Sequence, residues 1–152
     1  MKVSNEIINI FPEIKKWRHE LHAHPELGYE EEWTSNFVAE KLESFGLEIH
    51  RGMAKTGVVG VLKGANASLG GGGNKAIGLR ADMDALPMTE ENNFSYKSKF
   101  DGRMHACGHD GHTAMLLGAA KLLSSKKDFD GTVYFIFQPA EEGGGGGLAM
   151  IE

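Results

Sequence analysis

Between Glu6 and His24 the apolar residues Ile10, Ile14, Trp17 and Leu21 recur at steps of four, three and four, the stripe of an amphipathic helix. "HPELGYEEEW" breaks the pattern at Pro25 and Gly28, and a second stripe runs through Trp33, Phe37, Leu42 and Phe45 until Gly46 ends it as a C-cap residue. "LEIHRG", "TGVVGVLKG" and "KAIGLRADMD" are expected to be strands, on β-branched content and glycine punctuation. The last two are joined by "ANASLGGGGN", which reads as an exposed hairpin loop. No period is visible from Ala85 to Arg103, so this is a long connection. A helix follows, with Asp110 as its cap and a wide apolar face from Met115 to Leu123. "TVYFIFQ" is apolar on both alternating faces, as in a strand buried between helix layers. One turn of helix starts near Leu148. The elements predict an α/β fold: a three-layer sandwich with a mixed, mainly parallel sheet flanked by helices, ending in a βαβ-like unit.

Composition narrows the function. At 152 residues, 41% hydrophobic and 24% charged, the chain has the size and balance of one soluble domain. The net charge of -5 with interspersed signs offers no basic stripe for nucleic acid. Lys2, Asn5 and Glu6 interrupt any apolar run near Met1, and no segment approaches the roughly 20 apolar residues of a membrane span, so a cytoplasmic location is expected. Cys107 is the single cysteine, which rules out an internal disulfide.

Three stretches carry candidate chemistry. In "GLRADMDALP", Asp82 and Asp84 are two residues apart at a strand end, where their carboxylates can converge; the alternative is a pair of turn-forming aspartates ahead of Pro87. In "HACGHDGH", an extended backbone would project His105, Cys107 and His109 to one side, an N/S ligand set suited to zinc or another first-row ion. The helix N-terminus behind them should favour the thiolate of Cys107. A reactive redox cysteine and a structural zinc site are the competing readings. Glu141 and Glu142 follow the strand "TVYFIFQ"; being adjacent they point in different directions, so one can ligate metal while the other handles protons, unless both simply begin a solvated helix. All three stretches fall outside the carboxyl ends of strands, where open α/β sheets place their sites. The glycine run after Glu142 is no phosphate cradle, since it lacks the Gly-Lys-Ser/Thr that a P-loop requires.

With "RHELHAHPELGYEE", "GLRADMDALPMTE", "HACGHDGHTAMLLGAAKLL" and "GTVYFIFQPAEEGGGG" in this order, the chain resembles the M20 metallopeptidase family, in its amidohydrolase branch of hippurate hydrolases, N-acyl-amino-acid deacylases and auxin-conjugate hydrolases. The resemblance implies two divalent ions, zinc, manganese, cobalt or nickel, that activate a water against the amide bond of a small N-acyl amino acid. It implies Cys107, His109 and Glu142 as metal ligands, the thiolate bridging the ions, Glu141 as general base, and Asp84 as a support of the site. His105 and His112 would position their neighbours. Family members are longer, with two further histidine ligands and an inserted lid domain that mediates dimerisation. Residues 1–152 are therefore expected to be the N-terminal part of the catalytic domain of a homodimeric parent, without the lid. The alternative is a non-catalytic metal-binding or oligomeric remnant.

Overall fold

The computed structural model describes residues 3–65 and 75–152. Ser4 caps the first helix, α1 (Asn5–His22), with its side chain on the Ile7 amide, and the helix passes through Pro12 before it ends two residues short of the expected His24. Its stripe turns Trp17 and Leu21 into the core. In α2 (Glu32–Ser44) the deepest residues are Val38, Ala39 and Leu42, while Trp33, Phe37 and Phe45 lie at the margin of the core. Gly46 ends it at φ 79°, the left-handed conformation expected of a residue past a C-cap.

Four strands follow: β1 (Glu48–Met53), β2 (Gly57–Lys63), β3 (Ala76–Asp82) and β4 (Thr132–Gln138). Helix α3 (His109–Lys126) connects β3 to β4, and a short α4 (Gly146–Ala149) follows β4. The sheet order is β1-β2-β4-β3. β1 and β2 pair antiparallel, β2 and β4 antiparallel, and β3 and β4 parallel. The sheet is mixed and flanked by helices as expected, and β3-α3-β4 is the βαβ unit.

Two expectations are corrected. The sheet is not mainly parallel, because the tight turn between β1 and β2 forces antiparallel pairing and only the α3 crossover produces a parallel pair. β2 and β3 do not form a hairpin, because β4 lies between them. The loop "ANASLGGGGN" that suggested one falls, apart from Ala65, outside the described residues.

Helices α1 to α3 pack on one face of the sheet, where Phe135 and Phe137 of β4 are fully buried against Leu21, Leu42 and Leu117. Gly118 of α3 leaves room for Ile14 of α1. The other face carries Tyr134 and Ile136, beside which Gly147 and Met150 of the α4 region line a groove. No helix among the described residues is long and apolar enough to cross a membrane.

The start of α3 also departs from expectation. Gly108, at φ 95°, is the N-cap residue, and Asp110 is not a cap. Its buried carboxylate instead accepts from Arg18 Nε at 2.9 Å and His22 Nδ1 at 2.7 Å, which ties α1 to the first turn of α3. Nε2 of His22 reaches Glu90 at 3.0 Å, so the long connection is anchored to α1 despite its lack of period.

Candidate metal centre

Because β3 and β4 run parallel, their carboxyl ends, Asp82 and Gln138, lie side by side, and the crossover places the N-terminus of α3 over the same end. This is why the three sequence stretches meet. His109, the first residue of α3, is buried at their centre. Its Nδ1 is 2.9 Å from the Asp84 carbonyl and 3.1 Å from Asp84 Oδ1, so Nδ1 carries the hydrogen and donates. Nε2 is left with a free lone pair. Around it stand Asp82 Oδ1 at 3.7 Å, Glu141 Oε2 at 3.8 Å and Glu142 Oε1 at 3.9 Å. Those separations are too long for hydrogen bonds. They are close to the about 3.4 Å between two ligands that share one tetrahedral ion at 2.0–2.2 Å.

Two groups among the described residues bring their ligand atoms within 4.8 Å of one another: Cys107, His109 and Glu142, and Asp82, His109 and His112. They share His109, whose one free nitrogen serves one ion. The second group is already satisfied, since Asp82 accepts from His112 Nδ1 at 2.7 Å and from Arg80 at 2.9 Å. In the first group Cys107 and Glu142 are both exposed, their ligand atoms facing each other and His109. The residues present fit a divalent cation: four carboxylates lie between 3.1 and 3.9 Å from one imidazole, a concentration of negative charge that such an ion neutralises.

The electrostatics follow from that crowding. Burial works to lower the pKa of His109, but the Asp84 hydrogen bond and the charge of Asp82 outweigh it and hold the value above 6.5. Burial likewise works to raise Asp84, and its hydrogen bonds from His109 and from the Glu142 and Glu141 amides bring it below the ordinary range. The Cys107 thiol is pushed up, first by its hydrogen bond with Glu142. The shift runs opposite to the expected preference for thiolate, because the negative charges of Glu142, Glu141 and Asp82 favour the neutral thiol.

Cys107, His109, Glu141, Glu142 and Asp84 all meet here. His105 does not. Met104 pairs with Leu86, the Ala106 amide turns back to the Met104 carbonyl, and Gly108 has positive φ, so the segment is not extended and its side chains do not alternate. His105 is buried beside His22, with neither ring nitrogen hydrogen-bonded, and burial lowers its pKa to about 4.

The loop "HPELGYE", a helix break in sequence and part of the first family motif, wraps the site. Glu26 caps α2 through the Trp33 and Thr34 amides, Gly28 lies so close to Ala140 that a Cβ would come within 3.1 Å of it, and Tyr29 donates to the Gly144 carbonyl at 2.7 Å. Glu31 is fully buried against the Ala140 amide. A run of three glutamates resembles a solvated face, and the only residue-level signal for Glu31 was its place within a conspicuous motif.

Residues 78–152 match peptidase family M20/M25/M40. The hippurate hydrolase of Campylobacter jejuni is 53% identical over 152 residues, 100% of this chain and 38% of that protein. The N-acyl-L-amino acid amidohydrolase of Geobacillus stearothermophilus is 50% identical over 143 residues, 90% of this chain and 37% of its own length. Among solved structures, the YXEP protein of Bacillus subtilis, a dinuclear metal binding peptidase from the M20 family, superposes with a TM-score of 0.86 at 41% identity, covering 95% of this chain and 39% of that one. The chain thus spans under two fifths of the length of each of these three relatives. Sequence and fold agree across nearly all of its residues, and by that agreement the chain belongs to the M20 family of metallopeptidases.

Proposed function

We propose that this chain forms the N-terminal part of the catalytic domain of a metal-dependent amidohydrolase that cleaves the amide bond of N-acyl amino acids such as hippurate. The observation that carries the reading is the free Nε2 of His109, its tautomer fixed by Asp84, facing Glu141 and Glu142 across less than 4 Å. The relatives named for hippurate and N-acyl amino acids support the substrate class.

Cys107, His109 and Glu142 would hold the metal, and the relative that binds two ions supports a dinuclear centre of zinc, manganese, cobalt or nickel. When bound, such ions polarise the amide carbonyl and lower the pKa of a water. Glu141, exposed at the mouth of the site, takes the proton of the attacking water and delivers it to the leaving amine. Asp84 holds His109 in its ligating tautomer and anchors the Glu142 amide at 2.9 Å. The reading includes a homodimeric parent acting in the cytoplasm, where a thiol ligand stays reduced.

Cobalt titration tests the centre. The protein should develop a thiolate-to-cobalt charge-transfer band, which Cys107→Ser abolishes. In the protein as the cell makes it, Glu141→Gln should keep the cobalt spectrum and lose about 100-fold or more of hippurate hydrolysis. A wild-type protein with no charge-transfer band sinks the reading. A band without hydrolysis of any N-acyl amino acid would favour a non-catalytic metal-binding remnant.

A further inference from the structure

The pair Glu141–Glu142 follows a residue in unusual backbone. Ala140 has φ 49°, a left-handed conformation strained for any residue with a Cβ, and it is fully buried. Such a conformation persists where the surroundings over-determine it. Three contacts do so here. Gly28 packs against Ala140, the Ala140 carbonyl accepts from the Gly146 amide at 3.1 Å, and the Ala140 amide donates to Glu31 Oε1 at 2.8 Å.

Glu31 is itself fixed. Its Oε2 accepts from Thr56 Oγ1 at 2.6 Å, in the turn after β1, and the residue is wholly buried. Burial holds its pKa above the usual carboxylate range, against the hydrogen bonds from Thr56 and Ala140. A carboxylate in such a place carries a desolvation penalty that an apolar side chain would not. What it supplies in return is a strong acceptor for one backbone amide.

We propose that Glu31 is a positioning residue for the Glu141–Glu142 pair: its buried carboxylate clamps the Ala140 amide and thereby fixes the turn that aims both glutamates at His109. Asp84 grips the Glu142 amide from the other side, so two buried carboxylates, one ahead of α2 and one after β3, bracket the pair. The inference rests on the roles proposed for Glu141 and Glu142.

The experiment compares Glu31→Ala and Glu31→Gln with wild type, by cobalt affinity and by hydrogen exchange at the Ala140 and Phe135 amides. Glutamine keeps an oxygen for Ala140 and can donate its amide to Thr56. Glu31→Gln should stay within about threefold of wild type in both readouts. Glu31→Ala should bind cobalt about tenfold or more weakly and speed exchange at Ala140 by at least as much, while Phe135, deep in β4, is unaffected. If Ala140 and Phe135 accelerate by the same factor, the loss is global and the clamp is wrong. Equal impairment of the two variants, or unchanged cobalt affinity in Glu31→Ala, overturns it as well. Should Glu31→Ala fail to fold, Thr56→Val frees one carboxylate oxygen and should speed Ala140 exchange about fivefold, one hydrogen bond's effect; no change refutes the clamp. If wild type binds no cobalt, the metal reading falls and Ala140 exchange alone judges Glu31.

Discussion

His22 stands between two carboxylates, Asp110 at 2.7 Å and Glu90 at 3.0 Å, with Arg18 also on Asp110 and His105 packed nearby. A neutral imidazole has one N–H to divide between them, whereas the cation has two. The Asp110 hydrogen bond is the largest cause of a pKa raised above 6.5. A raised value stabilises the fold fully below 6.5 and is lost as pH rises through the folded value. His22→Gln in the metal-free protein should therefore cost about 3 kcal/mol in urea unfolding at pH 5.5 and clearly less at pH 9. A penalty independent of pH would show that His22 is neutral throughout. None of this was legible in sequence, where His22 lies among polar residues of an amphipathic stripe and its partners are 68 and 88 positions away. Cys107, His109 and the glutamate pair were legible because each sits at the end of an element whose period is clear.

At the level of elements, the turn between β4 and α4 separates two uses of glycine. Gly143 has φ 81° with open space where a Cβ would go, whereas Gly146 lies against the Pro139 carbonyl and is not left-handed. Gly143→Ala should cost about 1 kcal/mol through backbone strain. Gly146→Ala should cost more, about 2–3 kcal/mol, because the turn must open to admit the methyl group. Thermal melts of the two variants check the order, and the reverse ranking would show that strain governs this turn. The stripes of α1 and α2 and the four strands were readable to within a residue or two, since burial imposes local periods. The β2–β3 pairing was not, because a glycine-rich connection suggests a hairpin while strand order depends on where β4 docks, dozens of residues later. Likewise, Asp110 looked like a cap because nothing local reveals Arg18 and His22.

For the whole molecule, a metal that binds only the folded state adds stability by mass action, about 2.7 kcal/mol at 100 times its dissociation constant. For a chain of this length that is a rise in Tm of about 5 °C or more, reversed by a chelator. An unchanged Tm at saturating zinc, manganese and cobalt would count against the centre. The sheet order has a different implication, for the path by which the molecule comes into being. β4, the last of the four strands to be synthesised, is the one that must enter between β2 and β3. Until it emerges, β3 has no ladder partner and the β1–β2 hairpin has an open edge, so the early chain cannot be finished piece by piece behind the ribosome. The same late strand leads into Glu141 and Glu142, so the described core closes in the step that brings the glutamate pair to His109.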